Sequence, residues 1–522
     1  MSTQPPTSLR LDRQFERRAA RTPDRIAIVS GDESLTYEEL GRRANQLARH
    51  LSRRGVGPET MVGVYMDRSV DLAVAVLGVL KAGGVCVPLS PSSSTERIAR
   101  RTQETQPRVL IANVGVPDAV RHSAPEALLL RARELIAREL TTDLAAPVSP
   151  EHAAFVFFTS GSTGTSLPVV FTHRAACLGQ LPGVSPYGPS ADDRVLLLAL
   201  GGVNLLGELF GPWLAGATVV AANPGRHHDG TYLVDTVLRQ RITRMSVTPA
   251  VLRRFLHTPG VEACTGLRDV FCRGEELSYS LQRRFFAQLP ARLHHVYGQT
   301  ETGSGSSWRC YPDAPPGPVP IGRRSERSAV RLLDEDLQPV PVDVAAEIYV
   351  AGPRHARGYL DRPELTVAKF LLDPHQPGGW LCRTGDVARY RADGTIEFLG
   401  RRADELIVGN LRFYPREIER AMCAHPLVDE ALVARRPDDR GHTQLTAYVL
   451  PAGTTRLPVE ALQSLVREHY PAQLVPSAVV WMESWPLAVS GKVDRAALPI
   501  PKCTPSCAYV AAQESSQDPQ LG

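Results

Sequence analysis

Residues 153–165 read AAFVFFTSGSTGT, six apolar residues followed directly by a loop of Thr, Ser and Gly. The apolar run has the length and composition of a strand that is buried on both faces. Such a loop can bring backbone N–H and hydroxyl groups close to anionic oxygens, because glycine permits tight turns and carries no obstructing side chain. It is not a Walker loop, since GxxxxGK[ST] is absent. Taken alone, the stretch fits a phosphate-binding loop and a simple polar turn equally well.

Helical and strand-like segments alternate on both sides of this stretch. Apolar residues recur at helical spacing between Tyr37 and Gly55, and the glycine is placed to end that helix. A strand-like MVGVYM at 61–66, a helix that runs to Gly83 and an apolar VCVPL at 85–89 follow. Further apolar runs are RVLIANV from 108, RVLLLAL from 194, ATVVAA from 217 and DVFC from 269. This alternation predicts layered α/β units with a parallel, doubly wound sheet and helices on both faces.

The pattern changes twice towards the C-terminus. Residues 312–322 are rich in Pro and Gly, and the short alternating runs RSAVRLLD and AAEIYVAG after them predict a small β-rich unit. After Gly400 the pattern resets to a small α+β unit with its own helices and strands. We therefore predict a large N-terminal domain over 1–400, a small mobile C-terminal domain over 404–500 and a flexible tail over 501–522.

The bulk composition excludes several classes of protein. The chain has 522 residues and a net charge of +4 from 59 basic and 55 acidic residues, and its arginines are scattered, so we expect no nucleic-acid partner. The polar N-terminus has no apolar core, and no run is long enough to span a membrane. The nine cysteines form no CxxC pair or Cys/His cluster. We expect a soluble, cytoplasmic protein with reduced thiols and no membrane partner.

Eight short segments occur in a fixed order along the chain: LTYEEL from 35, LKAGGVCVPL from 80, TSGSTG from 159, YGQTE from 297, AEIYVAGPRHARGYL from 346, RTGD from 383, GRRADELIVGNLRFYPREIE from 400 and SGKVDRAAL from 490. Together they resemble the adenylate-forming superfamily of acyl-CoA synthetases, luciferases and nonribosomal peptide adenylation domains. The resemblance runs from Leu35 to Leu498. The resemblance implies an enzyme that uses ATP and Mg²⁺ to join a carboxylic acid to AMP, release pyrophosphate and pass the acyl group to an acceptor.

The resemblance assigns the loop after the buried strand to the ATP phosphates. The residues assigned are Thr159, Ser160, Gly161, Ser162, Thr163 and Gly164. In the family a Pro-Lys-Gly run follows this loop, whereas this chain has Ser166, Leu167 and Pro168. The loop lysine that helps to neutralise the phosphates is therefore missing. Backbone donors and Mg²⁺ can still hold phosphate, but a catalytically degenerate nucleotide-binding relative stays open as an alternative.

The YGQTE segment resembles the family motif that closes over the nucleotide. The resemblance implies that Tyr297 stacks on adenine, that Thr300 contacts the phosphate region, that Glu301 helps to hold Mg²⁺, and that Gly298 and Gln299 complete the motif. The same residues would otherwise be read as a turn at a strand end. Their place among the other ordered segments favours the functional interpretation.

The remaining catalytic matches lie further along the chain. Asp386 matches the carboxylate that receives the two ribose hydroxyls, which suits an ionised acceptor with two oxygens, and Arg401 matches an arginine that also holds the nucleotide. Lysine occurs only at positions 81, 369, 492 and 502, and Lys492 matches the lysine that reaches from the small domain into the active site. A mobile ammonium there offsets charge that builds in the transition state. The resemblance implies that the small domain rotates between the two half-reactions about a hinge at 402–404.

The resemblance also assigns the acid-binding pocket. Domains that activate α-amino acids usually have an Asp that pairs with the substrate ammonium, and the corresponding positions here are Gly202 and Val203. A buried ammonium without a carboxylate partner is costly, so we expect a substituted benzoate or other aryl acid rather than an α-amino acid. Arg273 fits a phenolate or second acidic group on the substrate and a purely structural role equally well. The assigned pocket residues are Val203, Asn204, Gly207, Ser246, Phe271, Arg273, Val296, Ser304 and Gly305.

The acceptor is less constrained than the acid. Thioester-forming relatives have a glycine in the loop after the hinge, and Gly409 and Asn410 are displaced by one position from that pattern. This displacement favours an amine acceptor, as in the amide synthetases of antibiotic biosynthesis. An acid or amino-acid adenylating enzyme that loads CoA or a separate carrier protein through a thioester stays open as an alternative. A nucleotide-dependent oxidoreductase is a weaker possibility, since no GxGxxG follows an early strand.

Overall fold

A computed structural model of the chain describes residues 9–124, 128–131, 139–144, 146–159, 166–184, 187–324, 329–409, 411–488 and 490–501, with the backbone alone for 128–131. The helices in chain order are α1 (Leu11–Arg21), α2 (Tyr37–Arg53), α3 (Val70–Ala82), α4 (Thr95–Thr105), α5 (Asp118–Ser123), α6 (His173–Leu178), α7 (Asn204–Ala215), α8 (Gly230–Arg239), α9 (Pro249–Leu256), α10 (Tyr279–Gln288), α11 (Pro363–Lys369), α12 (Pro415–Cys423) and α13 (Val459–Arg467).

The strands alternate with these helices through the first three hundred residues. In chain order they are β1 (Ile26–Ser30), β2 (Glu33–Thr36), β3 (Met61–Tyr65), β4 (Val85–Leu89), β5 (Val109–Ala112), β6 (Leu128–Arg131), β7 (Ala153–Phe158), β8 (Pro168–Thr172), β9 (Arg194–Leu197), β10 (Thr218–Ala221), β11 (Arg244–Val247), β12 (Asp269–Arg273), β13 (Arg292–Gln299), β14 (Gly303–Arg309), β15 (Gly322–Arg323), β16 (Val330–Leu333), β17 (Ala346–Ala351), β18 (Gly358–Tyr359), β19 (Phe370–Leu372), β20 (Trp380–Tyr390), β21 (Thr395–Arg401), β22 (Leu406–Val408), β23 (Leu411–Phe413), β24 (Val428–Pro437), β25 (Thr443–Pro451) and β26 (Ala478–Trp481).

Two large sheets form the N-terminal part of the molecule. The first sheet has eight strands in the order β14-β13-β12-β11-β9-β10-β1-β2, and the second has seven in the order β18-β8-β7-β4-β3-β5-β6. The inner pairs are parallel, as predicted, whereas β2, β14, β8 and β18 pair antiparallel at the edges. The sequence did not predict these antiparallel strands: β2 and β14 follow short turns after β1 and β13, whereas β18 joins β8 from a distant part of the chain.

The largest apolar core lies between these two sheets. It contains buried residues of both sheets and of α1, α2, α3 and α7. Helix α2 begins with a capping box between Thr36 and Glu39 and buries one apolar stripe, as the periodicity predicts. Helix α3 ends at Gly83, whose φ of 85° is the left-handed conformation that favours glycine. These local signals confirm the predicted helices and the layered α/β fold.

The third sheet is antiparallel and carries one of the predicted site motifs. Its strands are ordered β15-β21-β20-β17-β16, with β19 also paired to β20. Asp386 lies inside β20, and Arg401 at the end of β21 is its cross-strand partner. The predicted β-rich unit is confirmed, and its strands position this pair.

The C-terminal part is a separate small α+β unit. A single turn of 3₁₀-helix at Arg402–Asp404 leaves β21, and the hairpin of β22 and β23 follows. Strands β24, β25 and β26 form a three-stranded sheet that shares an apolar cluster with α12 and α13. The mixed α/β fold with a large N-terminal and a small C-terminal part is confirmed. Residues 502–522 of the predicted tail lie outside the described residues. Within the described ranges, no helix combines the length and apolar character needed to cross a bilayer.

Candidate active site

The third sheet brings a buried carboxylate beside the end of β13. Asp386 is 4% exposed, and its Oδ2 accepts hydrogen bonds from Tyr297 Oη at 2.8 Å and from Gln299 Nε2 at 2.7 Å. Its other oxygen, Oδ1, lies 3.1 Å from Arg401 Nε. Burial, together with the neighbouring Asp386, raises the pKa of Tyr297, so this phenol remains a neutral donor. Four residues from three sequence motifs therefore meet at one point.

Lys369 belongs to this cluster, although the sequence did not single it out for the site. Its ammonium lies 3.3 Å from Gln299 Oε1 and 3.3 Å from the carbonyl oxygen of Thr384, and it donates to both. Because Oε1 accepts from the lysine, the amide nitrogen of Gln299 faces Asp386 and the Thr384 carbonyl. The signal available in the sequence was the rarity of lysine, which left Lys369 as one of four candidates.

Glu301 lies in the turn between β13 and β14 and is 7% exposed. Tyr359 Oη donates a hydrogen bond to its Oε1 at 2.7 Å, which fixes the orientation of the carboxylate. Thr300 next to it is half-buried and Gly298 is exposed. No group of three or more Asp, Glu, His and Cys side chains with metal-binding proximity occurs in the described residues. A single carboxylate suits Mg²⁺, which binds through one or two carboxylates together with substrate phosphates.

The two ends of the predicted phosphate loop are joined at its neck. Thr159 N donates to the Leu167 carbonyl at 3.0 Å, and Leu167 N donates to Thr159 Oγ1 at 2.9 Å. Ser166 Oγ donates to the Thr159 carbonyl at 2.6 Å and accepts from Arg101 Nη2 at 3.3 Å. Burial lowers the pKa of Arg101 to about 10. Of the residues assigned to phosphate binding, Ser160, Gly161, Ser162, Thr163 and Gly164 lie outside the described residues.

The small C-terminal part reaches the large part through Lys492. The lysine Cε lies 2.9 Å from the position that a Cβ on Gly274 would take, so a side chain at this position would displace the lysine from its present place. Val493 N donates to Glu275 Oε1 at 3.1 Å, and Thr248 Oγ1 donates to the Gly491 carbonyl at 2.5 Å. Burial lowers the pKa of Lys492; Arg401 also lowers it, while Glu275 and Asp386 raise it. The ammonium is thus within the electrostatic reach of the Asp386 cluster.

Ion pairs hold the two parts in this arrangement. Arg253 of α9 forms short ion pairs with Asp429 and Glu430 of β24. On the other side of the contact, Glu276 lies 3.2 Å from Arg416 and 3.1 Å from Arg420 of α12. Buried pairs of this kind constrain geometry because a charge left without its partner is costly. They fix the side of the small part that carries Lys492 against the ends of β11 and β12.

The predicted acid pocket gathers on one face of the first sheet. Residues paired in parallel strands share a face, and the registers pair Ser246 with Phe271 and Arg273 with Val296. Asn204 at the start of α7 joins this face, because its Oδ1 accepts from Arg273 Nη1 at 3.0 Å. These residues lie at the carboxyl ends of β11, β12 and β13, the edge at which open α/β sheets bind ligands.

The glycines of the pocket are arranged differently from the prediction. A Cβ on Gly303, which has a φ of 63°, would lie 4.0 Å from Val203 Cγ2, whereas a Cβ on Gly305 would lie 3.3 Å from Val350 in the β-rich unit. The register shift after Tyr297 displaces β13 and β14 relative to each other. As a result, Gly303 faces Val203, and Gly305 packs against the core of the β-rich unit. Gly207 has only Gln180 Oε1 within 4 Å of its missing Cβ, at 3.9 Å, and Ser304 is exposed.

Comparison with known proteins identifies the family. The profile of the AMP-binding enzyme family matches residues 15–360, and that of the AMP-binding enzyme C-terminal domain matches residues 417–492. The chain is 36% identical over 502 residues to tyrocidine synthase 3 of Brevibacillus parabrevis, a match that covers 96% of this chain and 8% of that protein. It is 34% identical over 499 residues to a dimodular nonribosomal peptide synthase of Bacillus subtilis, covering 94% of this chain and 21% of that protein. The chain thus spans a small fraction of the length of the curated relatives it matches.

Two solved structures have the same architecture. Klebsiella oxytoca NpsA in complex with 3-hydroxyanthranilyl-AMSN superposes with a TM-score of 0.83 at 25% identity, covering 93% of this chain and 98% of NpsA. The anthranilate CoA ligase AuaEII in complex with anthranoyl-AMP superposes with a TM-score of 0.82 at 22% identity, covering 98% and 99%. The chain therefore belongs to the AMP-binding enzyme family and carries both its large and its C-terminal domain.

Proposed function

We propose that this enzyme activates a carboxylic acid with ATP, forms the acyl-adenylate with release of pyrophosphate, and passes the acyl group to an amine or a thiol. The acid is a substituted benzoate or other aryl acid rather than an α-amino acid. The observation that carries the proposal is the approach of Lys492 to Gly274 at the end of β12, within the electrostatic influence of Asp386. Residues 1–400 and 404–500 serve as the large and the small mobile domain.

Each side chain of the nucleotide cluster has a separate task in this proposal. Asp386 accepts the ribose hydroxyls, and Arg401 and the Tyr297 phenol keep its carboxylate oriented. Tyr297 packs against adenine, and Thr300 contacts the phosphates. Lys492 neutralises charge on the attacking carboxylate and the α-phosphoryl group. Its electrostatic stabilisation is strongest there because water is excluded. Mg²⁺, held by Glu301 and the phosphates, supplies additional charge neutralisation when bound.

The missing loop lysine places more of the phosphate charge on backbone donors and the metal. Of the assigned loop, Thr159 lies at the hydrogen-bonded neck, and Ser160 to Gly164 follow it in the chain. A catalytically degenerate relative is the alternative that this substitution keeps open. It would bind ATP without forming AMP from any acid, which distinguishes it from the enzyme proposed.

The pocket supports an acid without an α-ammonium group. Val203 occupies the position at which an ammonium would need a carboxylate, and the nearby Glu208 already accepts from Leu198 N and Ala199 N, both at 2.7 Å. An ammonium placed there would also face the cationic Arg273. NpsA and AuaEII, which share the fold, were solved in complex with 3-hydroxyanthranilyl-AMSN and anthranoyl-AMP, both of which carry an aromatic acyl group.

Amino-acid activation is the second candidate, because the relatives named above are peptide synthases. Tyrocidine synthase 3 and the dimodular enzyme of Bacillus subtilis both match almost the whole of this chain. On this alternative the acyl group would be loaded onto a separate carrier protein or onto CoA as a thioester. The same relatives support a role in the biosynthesis of antibiotics or other secondary metabolites, in the cytoplasm.

Acid-dependent exchange of labelled pyrophosphate into ATP tests the proposal. We expect exchange with aryl acids and little with α-amino acids, and AMP formation that depends on Mg²⁺. Turnover that is fastest with an α-amino acid contradicts the substrate assignment. Tight ATP binding with no AMP formation across the acid panel favours the degenerate alternative. Mass spectrometry of the adenylate mixed with amines, CoA or carrier proteins then identifies the acceptor.

A further inference from the structure

We propose that the acid pocket contains a binding point for a second carboxylate, formed by Arg273, and that the preferred substrate is an aromatic dicarboxylic acid. This inference rests on the proposed function, since it names the class of acid that the same site activates. It follows from the position of one arginine, from its shortage of partners and from the charges around it.

Arg273 is the last residue of β12 and its side chain lies on the pocket face. It pairs in register with Val296, the residue before Tyr297, and it precedes Gly274, against which Lys492 lies. The guanidinium therefore belongs to the same end of the first sheet as the proposed reaction centre. Within the described chain it donates one hydrogen bond, from Nη1 to Asn204 Oδ1 at 3.0 Å.

The remaining donors of Arg273 lack a matched acceptor. Its Nε is buried and has no hydrogen-bond partner among the described residues, and no described carboxylate forms an ion pair with the guanidinium. An arginine carries five N–H donors, and a carboxylate satisfies two of them in one bidentate contact. Burial lowers the pKa of Arg273, and the charge of the nearby Glu208 offsets this only in part.

Glu208 acts on Arg273 through its charge but forms no ion pair with it among the described residues. It is 3% exposed, and its Oε2 is occupied by the amides of Leu198 and Ala199. Glu208 also interacts electrostatically with the buried Arg68, whose Nε donates to the Leu198 carbonyl at 2.7 Å. Two guanidinium groups thus share one enclosed carboxylate. A ligand carboxylate at Arg273 would offset the positive charge that remains.

The surroundings of Arg273 favour an aromatic acid over a purely aliphatic one. Phe271, two residues earlier on the same face, keeps partial exposure and stacks on His294 with ring centroids 4.7 Å apart. Val203 and Val296 add apolar surface, and a Cβ at Gly207 would be in van der Waals contact with Gln180 Oε1 at 3.9 Å, so glycine keeps the start of α7 uncrowded. In the proposed arrangement the aromatic ring of the acid lies beside these apolar side chains, with one carboxylate towards Lys492 and the other towards Arg273.

The test compares three acids that differ in one substituent: benzoate, 3-hydroxybenzoate and benzene-1,3-dicarboxylate. Dissociation constants are measured by calorimetry on the whole chain, and pyrophosphate exchange is measured in parallel. We expect the dicarboxylate to bind about 10- to 100-fold more tightly than benzoate, the range that a hydrogen bond to a charged group provides. In Arg273→Met this preference is lost, and in Arg273→Lys it is partly retained because the single ammonium cannot bind both oxygens.

Arg239→Met is the matched control, since Arg239 is exposed on α8 and pairs only with Asp235 one turn away among the ion pairs of the described chain. The dicarboxylate preference must survive in this variant. Equal binding of benzoate and the dicarboxylate, or a preference that persists in Arg273→Met, overturns the inference. Preference for 3-hydroxybenzoate over the dicarboxylate also overturns it. If pyrophosphate exchange occurs with benzoate but the three acids are not distinguished, the proposed function stands and the inference about Arg273 fails. If no acid supports exchange, the proposed function is contradicted. The calorimetry then still decides the role of Arg273.

Discussion

The proposed nucleotide side of the site, around Asp386, and the proposed acid side, around Arg273, hold their buried charges in opposite ways. On the nucleotide side, Asp386 accepts hydrogen bonds from Tyr297 and Gln299 and forms an ion pair with Arg401, so its carboxylate is oriented by the protein itself. On the acid side, Arg273 has one neutral partner and a buried Nε that no described residue accepts from. The protein thus prepares one half of the site in advance and leaves the other half for the ligand to complete. This arrangement suits a reaction in which the nucleotide is constant and the acid must be selected.

Lys492 lies where the two sides meet, and its removal is the strongest test of a shared reaction centre. In Lys492→Ala we expect pyrophosphate exchange to fall about 100- to 1000-fold, the loss typical of removing one preorganised group that stabilises developing charge. Transfer from a supplied acyl-adenylate should change only a few-fold, because that step does not require charge neutralisation at an attacking carboxylate. Exchange is followed with labelled pyrophosphate and transfer by mass spectrometry.

Arg467→Ala is the control for this prediction. Arg467 is an exposed cation of α13 that hydrogen-bonds Gln463 on its own helix. Its removal should leave both half-reactions unchanged. If both half-reactions fall equally in Lys492→Ala, the lysine supports the structure of the small domain rather than the chemistry, and the two sides of the cleft have no common centre.

Loss of charge at Asp386 tests whether the nucleotide side is the prepared one. Asp386→Asn replaces a charged carboxylate, one oxygen of which accepts two hydrogen bonds, with a neutral amide. The hydrogen bonds from Tyr297 and Gln299 are therefore weakened. We expect the KM for ATP to rise about 10- to 100-fold, the range for hydrogen bonds to a charged group, while the KM for the acid changes little. Asp361→Asn is the control, because Asp361 is exposed with a φ of 51°, a conformation that Asn also tolerates. A rise confined to the acid KM contradicts the division.

The pH dependence of exchange reports the electrostatics at the boundary. The first half-reaction needs Lys492 protonated, and burial lowers its pKa. As the pH rises, activity should therefore fall at a pH below the ordinary pKa of lysine. Glu275 raises this pKa, so Glu275→Gln should move the alkaline limb to lower pH by about one unit. Gln keeps the acceptor for Val493 N, which Glu275 Oε1 receives at 3.1 Å. An unmoved limb, or one displaced to higher pH, shows that another group controls it.

The sequence predicted the prepared side better than the selective one. RTGD and YGQTE carry Asp386 and Tyr297, and the order of the motifs was enough to place both at one site. The hydrogen-bond partners of the site residues could not be predicted from the sequence in this way. Glu275 and Val493 are separated by 218 positions, and Arg273 and Asn204 by 69. Such contacts depend on how sheets and domains pack. The sequence resemblance assigned Gly305 to the pocket, whereas Gly303 is the glycine that faces Val203. A local register shift after Tyr297 decides which of the two takes this position.

Lys369 should give the smallest effect, and it separates a positioning residue from a ligand-binding one. Its ammonium fixes the Gln299 amide with the nitrogen towards Asp386, so Lys369 is two hydrogen bonds away from Asp386. Lys369→Met releases that amide, so we expect the KM for ATP to rise about 3- to 10-fold, as for one ordinary hydrogen bond, with kcat and the acid KM nearly constant. Lys369→Arg should restore most of the affinity, because a guanidinium can still donate to Gln299 Oε1. A large fall in kcat would mean that Lys369 contacts the reacting groups directly, and the prepared network would then include a second catalytic cation.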